Sequence, residues 1–229
     1  MTIDTSVNSS TKRSFLALAS ACLLLVPVTG ASAQPACHEL SIADARALPI
    51  CAQVTLTGTV STPSGAFSSS FFDVGFGLQD RDAGIYISVQ TDPQLVPGDR
   101  VRVTGVLADS FGLLVVLPDV ITDVTRLGHT HPPNAQPSKT GSIGESSEGL
   151  LVSVKGQVTQ APTSDLPYGY KFTVDDGSGA LQIFVNTPTG IDLAPLSVGK
   201  KVKITGFSSQ FDDHYEIDPR SAEDVVLLH

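Results

Sequence analysis

The sequence predicts an all-β protein, built as two tandem five-stranded barrels with one short N-terminal helix. Three observations carry that expectation. From residue 53 onward apolar and polar residues alternate with period two, as in Val54-Thr55-Leu56-Thr57, which is the mark of strands with one buried face. The 15 prolines and 20 glycines among 229 residues suit a turn-rich β chain better than a helical one. Finally, the octet "GDRVRVTG" at 98–105 returns as "GKKVKITG" at 199–206, an offset of 101 (199 − 98). An internal repeat of that kind outranks any local assignment.

At the N-terminus, Lys12 and Arg13 precede the apolar run "SFLALASACLLLVPV", and Ala31-Ser32-Ala33 follows as a small-residue cleavage pattern. The run falls short of the roughly 20 residues a membrane span needs. Residues 1–33 are therefore expected to be a cleaved secretory signal, leaving a periplasmic or secreted product without membrane attachment. Cys22 lies inside the run, which argues against a lipoprotein. Cleavage leaves Cys37 and Cys51. An even count in an exported chain favours a disulfide over free thiols or a metal site. Neighbouring His38 does not complete a zinc spacing.

In "SIADARALPI" (41–50), Ser41 is placed as an N-cap, Ile42, Ala45 and Leu48 share one helical face, and Pro49 is the stop. The first barrel is expected over 34–127. Its strands are "VTLTGTV", "VGFGLQD", "GIYISVQ", "DRVRVTGVLA" and "LLVVL", with "VITDVTRL" closing the unit. Residues 128–149, rich in Pro, Gly and Ser, read as a linker. The second barrel (150–229) replays the first through "LVSVKGQVTQ" and "YKFTVDDGSGALQIFV", and the pairs Leu117-Pro118 and Asp218-Pro219 keep the offset of 101. A short strand, a long hairpin, a crossing segment and a second hairpin is the strand order of the OB-fold. Gly58 and Gly156 fall where the first strand must coil, and Gly105 and Gly206 are expected to end the fourth strand. The connection at 91–98, with Pro93 and Pro97, is too cramped for a helix, whereas 186–198 has room for one turn.

The stretches "SIADARALP", "VTLTGTV", "GLQDRDAGIYI" and "VPGDRVRVTG" resemble the nucleic-acid-binding OB-fold domains of exported bacterial proteins. Such domains often precede the catalytic domain of secreted endonuclease/exonuclease/phosphatase-type nucleases. The resemblance covers both repeats and implies the fold and, less specifically, a nucleic-acid ligand. It departs from those nucleases at His229, where a catalytic domain would begin.

Motifs for catalysis are sparse. His129 and His131 form an H-x-H in the linker, and Asp212-Asp213-His214 sits at a hairpin where Asp is a turn former. "DRDAG" (80–84) and "DDGSG" (175–179) lack the twelve-residue spread and closing Glu of a calcium loop and read as turns. No G-x-S-x-G, H-E-x-x-H or phosphate loop occurs. A non-enzyme with no cofactor and no bound metal is expected.

Binding is the remaining function. Alternation turns Lys155, Lys171, Phe184, Lys201 and Lys203 outward on the second barrel, four lysines around one aromatic ring, the composition of a single-strand-binding groove. On the first barrel, Tyr86 and Arg102 face outward beside Thr55, Thr57, Gln79 and Ser88. The net charge of −9 argues against high affinity for a polyanion. The expectation is an exported protein that binds single-stranded nucleic acid. The alternatives are an adaptor for another exported protein and, if the Tyr86 face is the active one, an oligosaccharide binder.

Overall fold

The computed structural model describes residues 39–228. The expected signal peptide and Cys37 lie outside them. Ser41 accepts a hydrogen bond from the Asp44 backbone at 3.1 Å and so opens helix α1 (Ile42–Arg46), as an N-cap should. Ile42 and Ala45 are buried, but Leu48 is 38% exposed because the helix ends sooner than the apolar spacing suggests. Ala47 and Leu48 close back three residues, onto Asp44 and Ala45, a tight last turn before a proline that disfavours helix in its predecessor.

Strands β1 (Gln53–Val60), β2 (Phe76–Gln79), β3 (Gly84–Ile87), β4 (Asp99–Ser110) and β5 (Leu113–Leu117) follow. They pair around a closed ring in the order β1-β2-β3-β5-β4-β1, antiparallel except for β3 with β5. Strand β6 (Val124–His129) adds to the outside of the ring on β4, and β7 (Gln136–Pro137) runs beside β8 (Leu151–Asp165). Then come β9 (Gly169–Asp175), β10 (Leu181–Asn186), β11 (Lys201–Phe211), β12 (His214–Asp218) and β13 (Val225–Leu228). The second sheet closes by the same circuit, β8-β9-β10-β12-β11-β8, with β13 on β11 as β6 is on β4. The repeat read from the sequence is a repeat of five-stranded rings, each with a sixth strand alongside.

Period-two alternation positions the cores. Leu56, Phe76, Ile85 and Val101 fill the first ring, and Val152, Val174, Ile183 and Ile204 the second. Gly58 sits where β1 passes from β4 to β2, and a Cβ there would come within 2.8 Å of the Leu78 side chain. Gly105 and Gly206 do not end strand four, as the sequence suggested. Each lies mid-strand, where the ladder with the first strand gives way to the hairpin partner. As expected, no helix forms at 91–98, and Thr187–Thr189 makes a single 3-10 turn.

The stretch 130–149 is packed against both barrels. Thr140 and Glu148 are buried, Thr140 Oγ1 donates to Asp176 at 2.8 Å, and Arg46 of α1 reaches Glu145 at 2.7 Å and Glu148 at 3.1 Å. Burial raises the Glu148 pKa against the opposing pull of Arg46. Both barrels belong to one compact unit.

Candidate functional site

The barrels meet along an aromatic seam. Phe207 of β11 packs with ring centroids 5.3 Å from Phe67 and 5.9 Å from Tyr86 of the first barrel. Gly84 and Gly149 touch backbone to backbone, and a Cβ on Gly84 would lie 1.9 Å from the Gly149 carbonyl oxygen. Polar ties flank the seam: the Leu151 amide donates to Gln79 Oε1 at 3.1 Å, and Arg220 donates to the Ser61 carbonyl at 2.9 Å.

One buried carboxylate shapes the loop beside the seam. Asp73 accepts from the Ser69 hydroxyl (2.5 Å), the Ser69 amide (3.1 Å), the Tyr86 hydroxyl (2.8 Å) and Ser88. A buried carboxylate is tolerated when donors surround it in this way. The result is a fixed wall from Phe67 to Phe72.

That wall and the β4–β5 hairpin face β9, β10 and β12 across a cleft of about 640 Å³, a size typical of ligand sites. Seven of the chain's 14 aromatic side chains (10 Phe and 4 Tyr) line it. Two aromatic pairs span it from barrel to barrel. Phe72 stands 6.4 Å from Tyr168, and Phe111 lies 5.8 Å from Phe211 with the rings 9° from parallel. Phe72 is 74% exposed and Phe111 60%. Rings so exposed, concentrated in one concavity, mark a binding surface more than a packing one.

The structure divides the residues singled out from sequence. Phe184 and Lys171 are direct cross-strand partners on β10 and β9, and both line the cleft. Lys171 lies 3.5 Å from Asp165. Lys155 and Lys203 pair with each other on β8 and β11, with Lys201 two positions along. None of these three lines the cleft, so the expected ring of four lysines around Phe184 does not form. The cause is curvature: the outer face of a closed barrel points in all directions, and strands one and four turn away from strands two and three. Arg102 is exposed on β4, opposite Thr57 and Thr125.

Tyr86 is not the exposed ring that alternation suggested. It does leave the core of its own barrel, but it is fully buried under Phe67 and Phe207 at the base of the cleft. Burial holds its pKa well above the ordinary tyrosine value.

Polar groups on the cleft's second-barrel side form a short network. The Gln182 amide nitrogen donates to Glu216 at 2.7 Å and lies 2.9 Å from His214 Nε2. Hydrogen bonding to Glu216 raises the His214 pKa. Burial, then the Glu216 charge, raises that of Asp218 well above the ordinary value. Asn186 donates to Asp218 at 3.4 Å. The two acidic turns bind backbone amides: Asp80 accepts from Asp82 and Ala83 of its own turn and from Ile42 of α1, and Asp175 from Gly177 and Gly179. Asp176 is lowered to about 2 by Ser178 and Thr140.

Sequence reasoning missed Phe72, Phe111, Tyr168 and Phe211. All four sit in turns or at their edges, in "SSSFF", "SFG", "LPYGY" and "SQFDD", where strand alternation says little. A signal was available: bulky aromatics set among Ser, Gly, Pro and Asp in loops have no strand face to fill.

Fold and cleft together define a tandem OB-fold-like protein with an aromatic inter-barrel site. No family model matches the chain. Endonuclease YhcR of Bacillus subtilis (strain 168) is 28% identical over 205 residues, spanning 85% of this chain but 16% of that protein. Among solved structures, a murine DNA binding protein bound with ds DNA is similar at 14% identity and a TM-score of 0.39, over 72% of this chain and 90% of that one. The tetrameric p202 HIN2 follows at 12% and 0.35, over 78% and 92%. The OBody AM1L10 bound to hen egg-white lysozyme is 22% identical with a TM-score of 0.34, over 42% and 96%.

Proposed function

We propose that the chain is an exported, non-catalytic module that takes single-stranded nucleic acid into the cleft between its barrels. The carrying observation is the pair of exposed aromatic couples, Phe72–Tyr168 and Phe111–Phe211, that border the cleft around Phe184. Aromatic faces accept any base, but only a base that is free of a duplex stack. Lys171 is placed to meet a phosphate, and His214 joins it when protonated. The partial match to an endonuclease supports the reading, since 16% of that protein is the size of a binding module.

Fluorescence anisotropy with a labelled oligonucleotide tests it. Stacking is worth about 1–3 kcal/mol per base, so Phe184→Ala weakens single-strand binding about ten- to a hundredfold. Exposed Tyr168→Ala weakens it without threatening the fold. Lys171→Ala costs less, and duplex binds worse than single strand. Unchanged affinity in both aromatic variants sinks the proposal.

A second reading has one observation behind it. The cleft holds Asp165, Glu216, Gln182 and Asn186 against only Lys171 and His214 as cations, a set that also suits the hydroxyls of a neutral oligosaccharide. Salt separates the two: phosphate contacts weaken steeply as salt rises, whereas neutral sugar binding does not.

A further inference from the structure

Twelve lysines and arginines lie within residues 39–228. Five of them, Arg46, Arg81, Arg126, Lys171 and Arg220, have a carboxylate within 4.0 Å. Of the other seven (12 − 5), all but Lys139 sit on or beside strand four of a barrel. Arg100 and Arg102 are on β4, Lys201 and Lys203 are on β11 just after Lys200, and Lys155 is opposite Lys203 on β8. They alternate with buried Val101, Val103, Val202 and Ile204. This is the octet repeat seen from outside: each copy points a basic row away from its core.

The rows are electrostatically costly. Lys155 and Lys203 are direct cross-strand partners, which puts like charges about 4.5–5.5 Å apart at Cβ and destabilises the ladder. The chain has nine acids more than bases, yet among the described residues none pairs with these six cations. An arrangement that repels itself and forgoes available counter-charges fits an external anion. On the first barrel, Arg100 also lines a polar groove of about 630 Å³ with Thr57, Thr59, Gln79 and His131. Gln79 bonds to Leu151, the first residue of β8. Lys155 lies four residues further on, roughly 13 Å along the same strand.

We infer that strand four of each barrel is a phosphate row, and that the two rows carry the backbone of a nucleic acid outside the aromatic cleft. The ligand's identity rests on the preceding proposal, but the site is a different one, since none of the six cations lines the cleft.

Salt dependence of oligonucleotide binding tests this on the whole mature chain. If all six cations engage a single strand, affinity falls about 300-fold between about 50 and 200 mM salt. In Arg100→Gln/Arg102→Gln, and separately in Lys155→Gln/Lys203→Gln, two contacts are gone and the fall shrinks to about 50-fold. The lysine variant melts at or above wild type, because it loses only repulsion; a merely structural role for the pair would lower its melting point. Phe184→Ala lowers affinity but leaves the salt slope unchanged. Flattened slopes with a silent Phe184→Ala uphold the rows and reject the cleft. Unchanged slopes in both double variants reject the rows, whatever Phe184→Ala does. Wild type that binds no oligonucleotide at low salt, or binds only a sulfated polysaccharide, overturns the inference.

Discussion

Replacing Phe207 with alanine removes the ring on which the two barrels meet. That ring is fully buried and touches Phe67 and Tyr86, both on the first barrel. Taking a phenylalanine side chain out of water is worth about 1.5–3 kcal/mol. The cavity left at a seam that cannot fully collapse brings the cost of Phe→Ala to about 3–5 kcal/mol. For a unit of this size each kcal/mol moves the melting point by about 2–4 °C, so a fall of roughly 6–20 °C is expected. Differential scanning calorimetry reads it, with Phe211→Ala as the control. Phe211 is 48% exposed, and its loss should cost under about 1 kcal/mol. Because Phe207 also sets the spacing of the cleft walls, its loss should weaken oligonucleotide binding as well. A destabilisation below about 1 kcal/mol would mean that the barrels do not rest on this seam, and the cleft would lose its fixed geometry.

Asp218→Asn tests the buried carboxyl beneath the cleft. Burial raises its folded pKa, so its favourable contribution is full below the unfolded value of about 3.9 and is lost as pH rises through the folded value. Asparagine keeps the acceptor for Asn186 without ionising, so the variant should gain stability over wild type at pH 8 and match it near pH 4. Urea midpoints at the two pH values decide, and a pH-independent difference contradicts the assignment. Gly149→Ala, at a φ of +81° with its Cβ 2.3 Å from Gly84 backbone, should part the seam and lower the melting point; an unchanged melt would count against that contact. Cys51 is exposed, and the bridge to Cys37 expected from the sequence predicts no thiol labelling of protein purified without reductant until reductant is added. Incubation with DNA or RNA and Mg²⁺ or Ca²⁺ should leave the substrate intact, and cleavage by homogeneous protein would contradict the non-catalytic reading.

What the sequence disclosed follows from what periodicity encodes. Alternation identified which face of β4 and β11 is buried, because a one-residue error would turn Val101 and Val202 into solvent. The octet repeat gave the tandem rings for the same reason. Alternation does not say what covers an outward face. Tyr86 points out of its barrel and is buried by Phe207, which lies 121 positions away (207 − 86). Lys155 and Phe184 both point outward too, yet closure of the ring sends them in different directions. The cleft itself arises from turns and from docking between barrels, and neither leaves a period in the chain.

The most direct test of the account is where a bound strand touches the protein. Ultraviolet cross-linking of a short oligothymidine to the purified protein, followed by peptide mass mapping, reads those contacts without any mutation. The account predicts cross-links at the cleft aromatics, Phe72, Phe111, Tyr168, Phe184 and Phe211. A saturably bound oligonucleotide whose cross-links all fall outside residues 67–72, 110–113, 165–188 and 209–218 would contradict it.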